Sequence, residues 1–428
     1  MTMAQTADLS AADTVWMLLA TALVLLMTPA LGFFYGGLVR AKNALNTIMM
    51  SVAALGVAGI TWALLAYSLA FAEGTDWLGG LGYALLRDVG LEARGTIPHL
   101  LFMAYQGSFA IITVALISGA VVERMRFGPY LVFVALWTLC VYAPIAHWVW
   151  GGGWLGRLGI LDYAGGTVVH VNAGAAALVG ALVLRPRKDY GRQALLPHNV
   201  PYVLLGAALL WFGWFGFNGG SALAANRSAA LAFVNTLLAP SSTLVAWMLL
   251  DLVRTGRTTA VGAATAIVVG LVAVTPAAGF VAPLAAMAIG VLASLPSYFG
   301  ILWRSRTALD DSLDVVAAHG LGGATGALLT GIFARAAWGG TDGLLAGNVR
   351  QLGVQVIGIA AALLYSGVTT LLLMKLIGLA FPVRPNDRDE GIGMDITQHG
   401  EEAYTRGEGA IILMPAAAVS VRPPEGSA

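Results

Sequence analysis

Charged residues and cysteine are both scarce in this sequence. Of its 428 residues, 11% are Asp, Glu, Lys or Arg, whereas a soluble domain carries about 25%. The 23 basic and 22 acidic residues leave a net charge of only +1, so there is no basic excess to hold a nucleic acid backbone. The single cysteine, Cys140, lies in an apolar run, which excludes a disulfide framework and a thiolate metal cluster. The composition therefore argues against a soluble domain and against a nucleic acid partner.

Long apolar runs fill the sequence instead. Hydrophobic residues make up 58% of the chain, and the mean hydropathy is +0.80. A helix that crosses a bilayer needs about 20 mostly apolar residues. The first apolar run is too long for a cleaved signal peptide, and no Lys or Arg precedes it. We therefore predict an all-α polytopic membrane protein with eleven transmembrane helices, approximately at residues 14–38, 44–71, 98–122, 128–148, 164–184, 199–220, 228–252, 259–276, 280–303, 313–334 and 351–380.

Positive residues are divided unequally between the two sets of alternate loops. Twelve Lys and Arg residues fall in the set that begins with Arg40 and Lys42, and six fall in the opposite set. The positive-inside rule places the richer set in the cytoplasm. The sequence therefore predicts an extracytoplasmic amino-terminal segment at 1–13 and a cytoplasmic carboxyl-terminal tail at 381–428, which an odd number of helices requires.

The first ten predicted helices divide into two halves, 14–184 and 185–334, followed by a final long helix at 351–380. Five helices in each half would make the two copies inverted in the membrane. Two echoes support this division: GFFYGG at 32–37 is similar to FGFNGG at 215–220, and the fifth and tenth helices each carry a histidine with a glycine four residues later. We therefore predict an inverted 5+5 repeat plus a final helix.

Four ionisable side chains are predicted to lie deep in spanning segments: Asp162, His170, Asp314 and His319. A charged, unpaired group there costs several kcal/mol, so each needs a role. In an inverted repeat, His170 and His319 would meet at one midplane site; the alternative is two unrelated core histidines with separate hydrogen bonds. A metal site is disfavoured, because zinc needs three or four ligands and Asp162 is eight residues from His170. Two neutral imidazoles that bind something small between them fit better.

Aromatic residues cluster where the mouth of such a pathway would open. An aromatic face attracts a cation by about 2 kcal/mol when water is excluded, and Ser221 would supply an acceptor beside it. The alternative is an interfacial aromatic belt, which we favour for Trp148 and Trp154. The residues of this cluster are Tyr105, Phe109, Trp148, Trp150, Trp154 and Phe217.

Seven motifs follow one another along the chain: AYQGSFAIITVALISGAVVERMRF, HWVWGGG, DYAGGTVVHVNAGAAALVG, WFGWFGFNGGS, FVNTLLA, VTPAAGF and AAHGLGGATGALLTGIF. In this order, over about residues 14–405, they resemble the ammonium transporter (Amt) branch of the Amt/Rh/MEP family. The resemblance implies a homotrimer of eleven-helix subunits, each with its own pore. Such a protein would move ammonium or methylammonium inward across a bacterial cytoplasmic (inner) membrane, without a cofactor.

The resemblance also implies roles for individual residues. At position 105 relatives often have Phe, so that the Tyr hydroxyl would add a polar group to the vestibule. The implied sites are an outer cation site at Trp150, Ser221 and the ring of Tyr105, a stacked phenyl gate at Phe109 and Phe217, and paired pore histidines at His170 and His319.

Asp162 matches a buried acid that relatives need for transport. We expect it mainly to cap the start of the fifth helix, and we assign a structural or electrostatic role to Asp314 as well. Ammonium and potassium are similar in charge and size, but only ammonium can lose a proton. A dry pore would reject an ion that must remain charged and would pass neutral ammonia. Whether the proton crosses separately stays open.

The chain turns polar after about residue 380. The segment DEGIGMDITQHGEEAY at 389–404 resembles the ordered family tail, which implies contacts beneath the subunits and regulation by a PII-type (GlnK-like) protein; the alternative is a disordered charged tail. Residues 409–428 depart from the common ending. Two further functions stay open, an ammonium sensor that signals through a partner protein and an Rh-like channel for neutral gas. A membrane enzyme is disfavoured because neither histidine motif supplies a nucleophile or a metal.

Overall fold

The computed structural model describes residues 8–404, and these residues are mostly helical. Within this range, ten helices are long and apolar enough to cross a membrane, which makes the protein an all-α, multi-pass membrane protein. An apolar helix of 15 residues, α8 (Ala260–Val274), lies between the seventh and the ninth helices. The ten long helices are α1 Ala11–Leu38, α2 Ala41–Phe71, α3 His99–Val121, α4 Phe127–Leu158, α5 Gly166–Leu184, α6 Val200–Gly220, α7 Arg227–Thr255, α9 Pro283–Arg304, α10 Val316–Phe333 and α11 Val349–Ala380.

Helix α8 is shorter than the predicted span at 259–276. Its 15 residues rise about 22 Å at 1.5 Å per residue, against a hydrocarbon core of about 30 Å. The chain stays buried after the helix, at Thr275, Ala277, Ala278 and Val281. The apolar segment is therefore present, while the count of eleven spans and the inverted topology stay predictions.

Short elements connect the long helices. Strands β1 (Ala93–Arg94) and β2 (Ile97–Pro98) form an antiparallel hairpin in which Ala93 pairs with Pro98. Single helical turns occur at Ala84–Leu86, Ala336–Gly339 and Leu344–Ala346.

Helices α1 and α6 pack along their length because glycines bring the two backbones together. A Cβ atom on Gly216 would lie 2.6 Å from the Cβ of Leu23, and Gly206 lies directly against the backbone of Phe34. Small residues at such contacts allow close van der Waals packing, which drives helix association in lipid. This contact places the end of α6, with Phe217 and Ser221, beside the centre of the bundle.

Four of the long helices contain π-helical turns: Trp62–Ala66 in α2, Thr138–Tyr142 in α4, Gly166–Val171 in α5 and Val316–Leu321 in α10. Such turns are rare and are frequent at functional sites. Helices α5 and α10 both begin with one, and both of these turns carry a predicted pore histidine.

The tail is ordered as far as it is described. It forms α12 (Asp387–Ile392) and α13 (Met394–His399). The Asp395 carboxylate accepts hydrogen bonds from the backbone N–H groups of Leu45 and Asn46, at 3.0 and 2.8 Å, near the start of α2. The segment 389–404 therefore packs against the helix bundle. Residues 409–428, whose sequence departs from the common family ending, lie outside the described residues.

A buried ion cluster joins the loops on the side of the bundle that the tail covers. Glu123 pairs with Arg40 and Arg187 at 3.0 and 2.8 Å, and Arg187 also pairs with Asp310 at 2.8 Å. Burial opposes the charge of Glu123, but Arg187 and Arg40 outweigh it and lower the pKa of Glu123 to about 2. The carboxylate therefore stays charged, and it ties the loops after α1, α3 and α5 to the segment before α10.

Candidate functional site

The two predicted pore histidines are in direct contact. The Nδ1 atoms of His170 and His319 lie 3.2 Å apart, and the ring centroids lie 5.3 Å apart. Both side chains are buried, at 1% and 3% exposure. One Nδ1 donates and the other accepts, because two protonated nitrogens could not share this contact. The two imidazoles are therefore joined by one hydrogen bond between their Nδ1 atoms.

Small residues allow α5 and α10 to approach closely enough for the two histidines to make contact. Gly174 of α5 lies against Gly320 of α10, and a Cβ atom on Gly323 would lie 2.9 Å from the Cβ of His170. Larger side chains here would push the two helices apart. Helices α5 and α10 therefore cross closely at the histidines, as small residues allow in membrane bundles.

A narrow apolar cavity, the histidine cavity, lies against the two imidazoles. Its volume of about 10 Å³ suits about one water-sized molecule. The Nε2 atom of His170 is buried and has no hydrogen-bond partner among residues 8–404, so it is free to bond to a small guest. The cavity is lined by Met27, Leu31, Phe34, Ile112, Leu116, Val169, His170, Leu210, Trp214, Phe217, Val268 and His319.

Two stacked phenyl rings close one end of the histidine cavity. The ring centroids of Phe109 and Phe217 lie 4.2 Å apart at an interplanar angle of 28°. Phe217 lines the histidine cavity, and Phe109 lines a wider cavity beyond it. The stacked pair therefore forms the wall between the two spaces.

The wider space, the Trp150 cavity, has a volume of about 330 Å³. Trp150 donates its indole N–H to the carbonyl oxygen of Asp162 at 2.9 Å, and its ring meets the Phe109 ring edge-on, 5.9 Å away. Ser221 also lines the cavity, so the cavity combines aromatic faces with polar side chains that can accept hydrogen bonds. Its lining residues are Phe71, Phe102, Gln106, Phe109, Val149, Trp150, Tyr163, Ser221 and Leu223.

Phe71, Phe102, Gln106 and Tyr163 line this cavity but were not among the predicted site residues. For two of them the sequence carries a signal. Phe102, Gln106 and Phe109 are spaced by four and three residues, which places them on one face of a helix. The predicted gate residue Phe109 thus identifies the face of α3 that lines the cavity, and Phe102 and Gln106 lie on that face.

Three other predicted aromatics lie away from the cavity lining. Tyr105 is fully buried, and its hydroxyl lies 2.9 Å from the carbonyl oxygen of Phe217; the expected polar group in the vestibule is therefore turned into the protein. Trp148 donates to the carbonyl oxygen of Trp77 at 2.8 Å, and its ring packs beside that of Trp154. Trp148 and Trp154 thus form a separate aromatic cluster.

Asp162 caps the start of α5. Its Oδ1 accepts from the N–H groups of Gly165 and Gly166, at 2.9 and 2.6 Å, and its Oδ2 accepts from those of Thr167 and Val168, at 2.9 and 3.0 Å. These are the amide groups that a helix start leaves without partners. Asp162 lies before the helix and not deep within a spanning segment, which corrects the predicted placement.

Asp314 also lies outside the helix in which it was predicted, since α10 begins at Val316. It has a left-handed φ of 59°, and its carboxylate is paired with Arg304. Burial raises the pKa of Asp314 to about 7 despite the opposing Arg304 charge. The residue that caps α10 is instead Asp311, whose Oδ2 accepts from the N–H of Val316 at 2.7 Å. Asp311 is eight residues before His319, as Asp162 is before His170, and this shared spacing is a signal that could have identified it.

A third space, the Arg304 cavity, lies on the other side of the histidines. Its volume is about 490 Å³, and His319, Phe34 and Val268 line both this cavity and the histidine cavity. Its wall is more polar than that of the Trp150 cavity, and it includes Arg187, Tyr190, Gln193, Arg304, Thr307, Ser312 and Asp314. The three cavities therefore adjoin in series, with the narrowest and most apolar in the middle.

This arrangement suits selection of a small guest better than metal chemistry. Within residues 8–404, no group of three or more His, Cys, Asp or Glu side chains is placed to hold a metal ion. The fold and the cavities together define a helical membrane protein in which two buried, contacting histidines lie between two larger cavities. The model of the Ammonium Transporter Family matches residues 15–404, and the chain belongs to that family.

The chain is similar to a named ammonium transporter and to two solved structures. An ammonium transporter of Bacillus subtilis (strain 168) is 46% identical over 398 residues, which cover 92% of this chain and 98% of that protein. The crystal structure of Candida albicans Mep2 aligns with a TM-score of 0.84 and 38% identity, over 89% of this chain and 87% of that chain. A structure named Sensor Amt Protein aligns with a TM-score of 0.86 and 28% identity, over 91% and 98% of the two chains. None of these names describes an enzyme.

Proposed function

We propose that this protein recruits ammonium in the Trp150 cavity, deprotonates it and conducts ammonia past the His170–His319 pair to the Arg304 cavity. The observation that carries the proposal is the serial arrangement of the three cavities, with paired imidazoles in the narrowest one. Membership of the Ammonium Transporter Family supports the substrate.

Recruitment is assigned to Trp150 and Ser221. The indole ring offers a π face to a cation, an attraction of about 2 kcal/mol or more where water is excluded. The Ser221 hydroxyl offers an oxygen that accepts an N–H of ammonium. Tyr105, the third predicted recruitment residue, acts from behind the cavity wall.

Selection is assigned to the Phe109–Phe217 pair and to the apolar histidine cavity. An ion that must stay charged loses its hydration there without compensation, which is strongly unfavourable. Ammonia is neutral and can both donate and accept hydrogen bonds, so the imidazoles can replace its water partners. Potassium cannot shed its charge and is excluded.

Substitution of both histidines tests this proposal. In proteoliposomes given an ammonium pulse, we expect His170→Ala combined with His319→Ala to abolish selective ammonium uptake, because the apolar cavity then lacks polar partners for ammonia. His147→Gln is a matched control, since His147 is buried and bonded to backbone carbonyls away from the three cavities. Unchanged uptake with unchanged exclusion of potassium in the double variant would refute the proposed passage.

The same recording separates the two proton routes. Net ammonia flux produces no current, because the proton returns to the side it came from. Current that accompanies uptake would show that the proton crosses separately, along the histidine pair or beside it. Both routes are compatible with the proposed passage.

We propose a homotrimer in a bacterial inner membrane, with the amino terminus outside and the tail in the cytoplasm. Large apolar side chains are exposed on several long helices, among them Val253, Leu284 and Leu364, and these surfaces suit lipid or neighbouring subunits. Native mass spectrometry of the detergent-solubilised protein tests the trimer, and accessibility of single cysteines introduced at 1–13 and 381–404 tests the orientation.

We also propose that a PII-type (GlnK-like) protein binds on the side of the tail. The ordered tail supports this, because Glu390 accepts from the backbone N–H of Lys188 at 2.7 Å and Tyr404 contacts His198 at 3.0 Å, so tail and loops present one surface. Co-purification of a purified PII-type protein with the chain, with and without residues 387–404, tests it.

An ammonium sensor that signals through a partner is the second candidate function, and the similarity to the Sensor Amt Protein favours it. The two functions differ in flux. A sensor would bind ammonium and carry little of it across the bilayer, whereas the transporter takes it up continuously in the same proteoliposome assay.

A further inference from the structure

Tyr105 occupies a position behind the Trp150 cavity that connects two parts of the proposed entrance. Its ring packs edge-on against Phe109, with centroids 5.0 Å apart, and its side chain is fully buried. Its hydroxyl reaches across from α3 to the end of α6. There it lies 3.0 Å from the carbonyl oxygen of Gly216, 2.9 Å from that of Phe217 and 3.3 Å from the Ser221 hydroxyl.

The proton count of this cluster restricts what each group does. The Tyr105 hydroxyl carries one proton, which it donates to a carbonyl oxygen of α6, and its own oxygen can then accept from Ser221. Ser221 also lies 2.9 Å from the carbonyl oxygen of Phe217. When Ser221 donates to Phe217 or to Tyr105, its proton points into the protein, and at least one lone pair of its oxygen is left for the cavity even if Tyr105 donates to it instead of to a carbonyl.

The same hydroxyl also holds the end of α6 in place. The carbonyl of Phe217 is one of the last four of that helix, which have no regular partner within it. Two glycines, Gly219 and Gly220, follow in the final turn, and glycine is a poor helix former. A bond from another helix therefore stabilises a turn that is weak by itself and that carries the Phe217 ring.

We propose that Tyr105 is a positioning residue, whose hydroxyl fixes the Ser221 acceptor and the Phe217 ring relative to each other and so sets the affinity for ammonium at the entrance. The proposal rests on the proposed function, in which the Trp150 cavity receives ammonium. The chemistry recognised is that of a small cation with N–H donors. A phenylalanine at this position would keep the ring contact with Phe109 and lose this coupling.

Tyr105→Phe tests the proposal with the loss of one oxygen atom. We expect the KM for ammonium in proteoliposomes to rise about three- to tenfold, the range that loss of one buried hydrogen bond produces, with Vmax within about twofold of wild type. Tyr130→Phe is the matched control, because the buried Tyr130 hydroxyl also bonds a carbonyl of another helix, Met50, at 3.1 Å but lines none of the three cavities. Its KM should equal that of wild type.

A double-variant cycle separates positioning from general destabilisation. Because Tyr105 acts partly through Ser221, Tyr105→Phe should raise the KM of Ser221→Ala by a smaller factor than it raises the KM of wild type, whereas independent effects multiply in full. Multiplied effects would overturn the proposal. A wild-type protein without ammonium uptake would refute the proposed function itself, and normal wild-type uptake with an unchanged KM in Tyr105→Phe would refute only the role of Tyr105.

Gly220→Ala provides a second route if Tyr105→Phe yields little folded protein. An added Cβ at Gly220 would lie 2.6 Å from the Tyr105 hydroxyl and 2.7 Å from the Cβ of Ala20, so it crowds the hydroxyl and leaves the tyrosine in the chain. The same rise in KM supports the proposal. A KM equal to that of wild type, in folded Gly220→Ala protein, overturns it.

Discussion

The starts of α5 and α10 share one plan but differ in what surrounds them. Each has an aspartate eight residues before a histidine, Asp162 before His170 and Asp311 before His319, and each histidine lies in a π-helical turn. The Asp162 carboxylate accepts from four backbone N–H groups. Asp311 accepts from Val316 through Oδ2, and its Oδ1 is buried without a partner among the described residues.

The spaces beyond the two histidines differ more strongly. On the Asp162 side, the stacked Phe109 and Phe217 rings close the way to a cavity lined largely by aromatic residues. On the Asp311 side, His319 lines the Arg304 cavity directly, and the wall there is polar and charged. The two histidines are therefore placed in similar ways, while the spaces on their two sides differ. In the proposed function, ammonium is selected on the aromatic side and ammonia reaches the polar side.

The largest expected effect is a difference in stability between variants of the two capping residues, Asp162 and Asp311. Asp162→Ala would leave four buried N–H groups without a partner, at about 1–3 kcal/mol each, which approaches the whole stability of a typical fold. We expect little folded protein and no uptake. Asp311→Ala loses one observed bond and should fold with a stability lower by about 1–3 kcal/mol. Yield, thermal unfolding in detergent and ammonium uptake measure both.

Asp162→Asn refines this test, because the amide keeps one acceptor oxygen and so serves about half of the four N–H groups. Its stability should fall between those of wild type and Asp162→Ala. Equal losses of stability in Asp162→Ala and Asp311→Ala would show that the two caps are equivalent, and would contradict the difference between the starts of α5 and α10.

A smaller effect concerns the ion cluster on the Asp311 side. The pKa of Glu123 is lowered from 4.5 to about 2 in the folded protein, which corresponds to about 3 kcal/mol of stability. Because the folded pKa is the lower one, this stability is fully present above pH 4.5 and is lost as the pH falls from 4.5 towards 2. Glu123→Gln should lower the unfolding temperature at pH 7 and flatten its dependence on pH between 5 and 3.

Glu73→Gln is the control for that measurement, because Glu73 is exposed on the opposite side of the bundle. It should keep both the stability and the pH dependence of wild type. An identical acid dependence in wild type and Glu123→Gln would mean that the cluster contributes nothing to holding the loops together.

The helices and their order could be predicted because apolar length is a strong signal. Ten of the predicted spans have counterparts that are long and apolar enough, whereas α8 ends early at Val274. Hydropathy alone extends that segment to 276, since Thr275 and Pro276 interrupt the helix without making the sequence polar. The π-helical turns at Gly166–Val171 and Val316–Leu321 were not predicted from the sequence; the two turns contact each other where α5 and α10 meet.

Some contacts of the site could be predicted, such as that between His170 and His319 and the cap formed by Asp162, whereas others could not, and the roles of the residues stay predictions. Proximity of His170 and His319 follows from a repeat that the sequence only suggests. The turn of Tyr105 away from the cavity depends on the end of α6, 111 residues further along the chain. Asp311 is not among the predicted site residues, although it lies eight residues before His319 as Asp162 lies eight residues before His170; Asp314 is among them because it falls inside the predicted helix at 313–334.

The Trp150 cavity and the Arg304 cavity can be compared by one substitution in each, measured by the KM for ammonium. Trp150→Leu removes the aromatic face that attracts the cation, about 2 kcal/mol where water is excluded, so we expect the KM for ammonium to rise about ten- to thirtyfold. Trp150→Phe, which keeps an aromatic face but loses the N–H donated to Asp162, should have a smaller effect. Concentration dependence of uptake in proteoliposomes measures both variants, and an unchanged KM in Trp150→Leu removes Trp150 from the entrance.

Asp314→Asn is the counterpart in the Arg304 cavity, and its effect should be the smallest. The pKa of Asp314 is about 7, so near neutral pH the side chain is already about half uncharged, and asparagine imitates that form. The cavity is also wide and polar, so ammonia that reaches it can find water, and no single side chain needs to bind it. We therefore expect a KM within about twofold of wild type, because asparagine keeps the shape of the side chain and an oxygen that can accept from Arg304. A rise as large as that of Trp150→Leu would make the Arg304 cavity a second recruitment site, and the two sides would then differ in shape but not in function.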